Sequence, residues 1–142
     1  MACPFFMPTR RCEDGGWLHP SRLPLGAGWR GECSASGQPG IAPSNHELRE
    51  WCNLGYASRC SRLPQQPSFD AVRFSVAGDS CDRVTICFVL ESAHRPAGHG
   101  LLAYDPSLAQ WISMHPDRRI QRMAECYLQA YFERRVLSRP GS

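Results

Sequence analysis

Eight cysteines punctuate this chain, at positions 3, 12, 33, 52, 60, 81, 87 and 126. A thiolate is both a nucleophile and a soft metal ligand, so these residues are the first place to look for chemistry. They fall into two groups. Cys3, Cys12, Cys33, Cys52 and Cys60 lie in a stretch rich in proline and glycine, whereas Cys81, Cys87 and Cys126 lie on or beside predicted regular elements. Cys87 falls in mid-strand and Cys126 in mid-helix next to Met123 and Tyr127, where a free thiol behaves as a small buried hydrophobe. Cys81 sits at a turn between charged neighbours and receives no role.

A closed metal site takes four ligands, and five candidates remain. Cys3 precedes Pro4, which removes a competing N–H and stiffens the chain as it leaves the ligand. Cys33, Cys52 and Cys60 occupy turn-rich or helix-end positions, where backbone amides can face sulfur. Cys12 stands between Arg11 and Glu13-Asp14, a solvated setting. The expected ligand set is therefore Cys3, Cys33, Cys52 and Cys60, with Cys12 as the spare and His46 in reserve, although helix capping is the commoner use of His46. Structural zinc sites usually show two cysteines a few residues apart, and this chain has no such knuckle. Iron–sulfur clusters tolerate wider spacings, and the nearby Phe5, Phe6, Trp17 and Trp29 would shield one from solvent. A [4Fe–4S] cluster is favoured over zinc. Without metal these residues would be buried thiols, or a disulfide framework in an oxidising compartment.

The order Cys3-Pro4-Phe5, then Cys33, then His46 leading to Cys52, then Cys60 resembles a four-cysteine module of uncharacterised bacterial proteins. That module reads as C-P-[YF], a distant cysteine, a histidine separated by four or five residues from a third cysteine, and a nearby fourth. Here Trp51 replaces the usual Tyr or Phe, and Ser61 rather than proline follows Cys60. Over most of its length the chain is similar to small acidobacterial-type proteins. The resemblance implies the same four ligands, leaves Cys12 out, and carries no activity with it.

The elements that must position these thiols differ between the two halves. Residues 1–43 show neither helical nor strand periodicity; Pro4, Pro8, Pro20, Pro24, Pro39 and Pro43 interrupt them. The expectation is an irregular, loop-rich segment wrapping something, since its scattered aromatics are foreign to a disordered tail. Ser44 with Glu47 forms a capping-box pattern that starts a short helix through Leu48 and Trp51, with Cys52 at its end. A turn follows through Gly55 and Tyr56, and Leu63 to Ser68 reads as a linker. Two units result, 1–63 as a cysteine-rich metal-binding module and 69–142 as a small sheet with a helix.

In the second half, Asp70 to Ala77 alternates as a half-buried strand, with Val72, Phe74 and Val76 on one face. Gly78 to Asp82 is a turn. Arg83 to Glu91 is a strand apolar on both faces near Cys87, hence central. His94 to Gly100 reads as a loop and Leu101 to Tyr104 as a third strand. Asp105-Pro106 starts a short helix through Ile112, and His115-Pro116-Asp117 a longer one ending near Leu137. On the long helix Ile120, Met123, Ala124, Tyr127 and Tyr131 share one face, widened by Leu128 and Phe132. The fold class is α+β: an irregular, metal-stapled N-terminal module packed on a small antiparallel sheet with a C-terminal helix.

Composition bounds the rest. The chain has 142 residues, and its 16 basic residues are all arginine, a usage that suits a GC-rich bacterial genome. The net charge of +3 is spread over both halves, so nucleic acid is not indicated as a partner. No signal-peptide pattern opens the sequence and no apolar run approaches membrane-spanning length. The expected compartment is the cytoplasm. Catalysis finds little support: pairing Cys52 with His46, or Cys87 with His94 or His99, brings no third orienting group. The expected function is a small cytosolic Fe–S protein for electron transfer, redox sensing or stapling. The alternative is a zinc-stabilised interaction or regulatory module for an unknown protein partner, with a homodimer through the C-terminal helix if the sheet leaves its apolar face uncovered.

Overall fold

A computed structural model describes residues 2–12, 23–33, 42–53, 60, 69–93 and 95–137. The turn expected at Gly55 and Tyr56 and the linker at Leu63 to Ser68 lie outside these residues. The architecture is α+β, with two antiparallel sheets and one long helix. Strands β1 (Phe6–Arg11) and β2 (Trp29–Cys33) form a two-stranded sheet. Strands β3 (Ala71–Ser80), β4 (Arg83–Ser92), β5 (Arg95–Asp105) and β6 (Gln110–Ser113) form a four-stranded meander in sequence order. Helix α1 (Asn45–Glu47) runs into a π-helical turn, Leu48–Cys52, and α2 (Arg118–Leu137) closes the described chain.

The meander follows from alternation. Val84, Ile86 and Phe88 on β4 and Leu102 on β5 point to one buried face. Helix α2 lies on that face and turns Ile120, Met123, Ala124, Cys126, Leu128 and Ala130 inward. The larger of these side chains, Ile120, Met123 and Leu128, each contribute about 1.5–3 kcal/mol when fully buried. The start of α2 is set by Asp117, whose carboxylate accepts the Arg119 amide at 2.9 Å, while the Asp117 amide donates to His115 Nδ1 at 2.9 Å. Among the described residues, no helix is long and apolar enough to cross a membrane.

Four expectations need correction. The N-terminal segment is not irregular throughout, because β1 and β2 pair in it. Pro8 hides the pattern, and the register slips between Pro8 and Arg10. The stretch 95–100, expected as loop, is the first half of β5. Its inward positions are Gly98 and Gly100, which face Leu90 and Phe88, so the strand carries no apolar stripe of its own. The Phe88 ring fills the space instead, since a Cβ on Gly100 would lie 2.7 Å from it. The helix expected from Asp105-Pro106 to Ile112 is a turn followed by β6. Asp105 Oδ1 collects the Ser107 amide, the Ser107 hydroxyl and the Leu108 amide, and Ala109 closes the turn at φ 52°. Finally, β3 continues through Gly78 to Ser80 by way of a bulge after Val76, which leaves only Cys81 and Asp82 in the turn.

One apolar cluster joins the two halves. Ala2, Cys3, Phe6, Leu25, Trp29, Leu48 and Cys52 pack with Val72, Met123 and Cys126. The loop before β2 reaches α2 at Gly26, which has φ +76° and would place a Cβ 2.5 Å from the Ala130 methyl. Only glycine suits both that conformation and that approach.

Candidate metal centre

Cys3 is fixed from three sides. Ala2 pairs with Val72, its amide donating to the Val72 carbonyl at 2.7 Å and its carbonyl accepting the Val72 amide at 2.9 Å. The residue before Cys3 is thereby stitched to the free edge of β3. The Cys3 amide donates to the Cys52 carbonyl at 3.1 Å, and the Cys3 carbonyl accepts the Phe6 amide at 3.1 Å in a tight turn. That turn aims the backbone N–H groups of Phe5 and Phe6 at the Cys3 sulfur. Successive amides converging in this way form an anion nest of the kind found around Fe–S sites.

Cys33 ends β2 directly opposite Phe6, the first residue of β1. A glycine in the middle of β2 allows this close pairing: a Cβ on Gly31 would lie 2.0 Å from the Met7 carbonyl oxygen. Cys52 ends the π-helical turn. The capping box is present with both bonds, Ser44 N to Glu47 Oε1 at 2.8 Å and Glu47 N to Ser44 Oγ at 3.2 Å. The helix it starts is wider than expected, because the Asn53 amide closes on the Leu48 carbonyl at 3.1 Å. Asn53 then locks this turn to β2. Its side chain donates to the Trp29 carbonyl at 3.0 Å and the Leu48 carbonyl at 2.9 Å, and accepts the Trp29 amide at 3.1 Å.

Cys3, Cys33, Cys52 and Cys60 lie within electrostatic reach of one another. Burial pushes the Cys3 thiol up to about 12; the Phe5 and Phe6 amides pull it down, and negative charge on Cys33 or Cys60 would push it further up. Burial also raises the Cys52 thiol, and charge on Cys3, Cys33 and Cys60 acts in the same direction. The thiols are neighbours without yet being a coordination shell: among the described residues, no group of three or more His, Cys, Asp or Glu side chains is arranged to hold a metal ion. The donors themselves suit a soft or borderline metal. Three of the four are buried, none is in a disulfide, and amides already face one sulfur.

The remaining candidates sit elsewhere. Cys12 follows the last residue of β1, at the other end of the hairpin from Phe6 and Cys33. At about 3.3 Å per residue the two ends are roughly 20 Å apart. His46 is exposed on α1. Cys81 is exposed in the β3–β4 turn, Cys87 lies half-buried on the sheet face away from α2, and Cys126 is in the core. Sequence reasoning missed two residues that shape the site, Asn53 and Arg119. The Arg119 guanidinium lies 5.3 Å from the centroid of the Phe5 ring and pairs with both Asp117 oxygens, Nε to Oδ1 at 3.1 Å and Nη2 to Oδ2 at 2.9 Å. No family model matches the chain, and neither a curated protein nor a solved structure matches it.

Proposed function

We propose that this is a small metal-binding protein in which Cys3, Cys33, Cys52 and Cys60 hold a [4Fe–4S] cluster for electron transfer, redox sensing or structural stapling. The observation that carries the reading is the electrostatic neighbourhood of these four thiols, gathered from four separate segments while Cys12 stands apart. When bound, the cluster would supply a one-electron couple or a cross-link. The chain's own residues supply the rest. Phe5 and Phe6 give amide hydrogens to the Cys3 sulfur, which favours its thiolate form. The apolar cluster around Phe6, Leu48 and Trp29 excludes water from the Cys3–Cys52 side and would tune a redox potential.

The second reading, a zinc-stabilised interaction module, rests on the same Cys3–Phe6 turn, since amide bonds to sulfur suit any tetrathiolate ion. A thiol enzyme is less well supported. A nucleophilic cysteine needs a lowered pKa, whereas burial raises the thiols of Cys3, Cys52 and Cys126. We place the protein in the cytoplasm, where eight cysteines outside disulfides are chemically at home. A homodimer through α2 would use the outer side of that helix, because its apolar face is turned to the sheets.

Anaerobic purification, followed by a visible spectrum and iron, sulfide and zinc analysis of one sample, tests the proposal. Broad visible absorption with iron and sulfide in equal amounts is the expected result. A colourless protein with one zinc per chain moves the reading to the interaction module. A sample with no metal overturns both.

A further inference from the structure

We propose that Arg119 is a positioning residue for charge at the thiolate centre: tied to Asp117 and laid over the Phe5 ring, its guanidinium offsets the negative charge that four thiolates leave around a metal. This rests on the metal-binding reading above. Four thiolates around a divalent ion, or around a [4Fe–4S] core of charge about +2, leave about two negative charges in excess. In a site walled by Phe6, Leu48 and Trp29, that excess is poorly screened. A fixed cation nearby would offset it.

Arg119 is placed for this task. Phe5, on which it stacks, follows Cys3-Pro4 and sends its own amide to the Cys3 sulfur. The guanidinium is therefore one side chain away from the nest that receives the thiolate. The two bonds it donates to the Asp117 carboxylate hold it there, and its side chain is about three-quarters buried. The electrostatics agree with the geometry: after Asp117, the charges that favour protonated Arg119 come from Cys3 and Cys33.

The neighbouring arginines are engaged elsewhere. Arg122 donates through Nε to the Pro8 carbonyl at 3.0 Å and lies 5.4 Å from the Trp29 ring centroid. Arg118 lines an open groove of about 270 Å³ with Met7, Met114 and His115. Arginine suits the position better than lysine, because its planar fork meets both Asp117 oxygens while its face rests on an aromatic ring.

Cobalt(II) titration of the reduced, metal-free full chain tests the assignment, because thiolate-to-cobalt absorption reports both ligand type and affinity. Arg119→Gln should bind cobalt about tenfold more weakly than wild type, the scale of one lost charge at short range, with unchanged stoichiometry and band shape. Arg119→Met should do the same, so the result does not depend on one replacement folding. Arg119→Lys should recover affinity to within about threefold of wild type, as charge is what it keeps. Arg83→Gln, at the start of β4 opposite Ser80 and at the other end of the β3–β4 pair from Val72, controls for net charge and should match wild type. Wild-type affinity in Arg119→Gln and Arg119→Met would overturn the proposal. So would an Arg119→Lys variant as weak as those two, because packing rather than charge would then be the cause. If wild type itself gave no thiolate-to-cobalt absorption, the four-thiolate reading would fall first.

Discussion

The amide of Cys3 is hydrogen-bonded to the carbonyl of Cys52 at 3.1 Å. Two residues far apart in sequence are thus joined through their backbones, and their thiols inherit that proximity. The bond is independent of sulfur, which separates folding from the proposed metal binding. Cys52→Ser should keep the secondary structure of the chain by circular dichroism and lose most of its bound metal by elemental analysis. Cys12→Ser, at the distant end of the hairpin, should retain wild-type metal content. The opposite pattern would sink the ligand assignment.

Asn53 replaces a stretch of strand. Its single carboxamide serves both backbone groups of Trp29 and one carbonyl of the π-helical turn, all buried. Asn53→Ala removes the partner of both Trp29 backbone groups, while the Leu48 carbonyl keeps the Asn53 amide, at a cost of about 1–3 kcal/mol for each buried group left unsatisfied. Asn53→Asp should be no better, because it sets a carboxylate against two carbonyl oxygens. Both variants should lower the urea midpoint, and a midpoint within error of wild type would show that the clamp contributes nothing.

Acid should loosen the hairpin from α2. The Arg11 guanidinium on β1 grips Glu133 on α2 at 2.7 and 2.5 Å and holds its carboxyl below the usual value of 4.5. A depressed folded-state value means the stabilisation is present above about pH 4.5 and is lost as pH falls through the lower folded value. The pair is largely exposed, so the effect is modest, roughly 0.2–1 kcal/mol. Glu133→Gln should flatten part of the acid limb of a stability–pH profile without changing its neutral plateau by more than that amount.

Alkali should act through the core. Burial pushes the Cys126 thiol from 9.0 up to about 12, against the pull of Arg122. A raised folded-state value means the unfolded chain ionises first, so stability is intact below about pH 9 and declines as pH rises toward 12. Cys126→Ala, which has nothing to ionise there, should show a shallower alkaline decline in thermal midpoint than wild type. An unchanged slope would place the alkaline sensitivity in other thiols.

The sequence speaks most clearly where a pattern belongs to one segment. The alternation of β4 and the apolar stripe of α2 each follow from residues within the element, and the capping box of Ser44 and Glu47 forms both of its bonds. The pattern fails where a neighbour fills the space. Gly98 and Gly100 present no side chains, so β5 is visible only beside Leu90 and Phe88. β1 fails for a related reason, since Pro8 and the bulge after it break the alternation that Phe6 begins. At the candidate centre the donor types were legible, but Arg119 was not. It sits in the first turn of a distant helix and meets Phe5 only once the chain has folded.

The bond from Arg122 to the Pro8 carbonyl ties β1, the first described strand, to α2, the last described helix. On a ribosome the hairpin emerges long before α2 does, and so do Cys3, Cys33, Cys52 and Cys60. Until α2 is made, Cys3 and Cys52 have no Met123 or Cys126 to pack against, and these contacts form only by closure across nearly the whole chain. The nascent protein therefore passes through an interval in which the Cys3 and Cys52 thiols lack that cover, so on the proposed metal-binding reading the opportunity for loading precedes the completed fold.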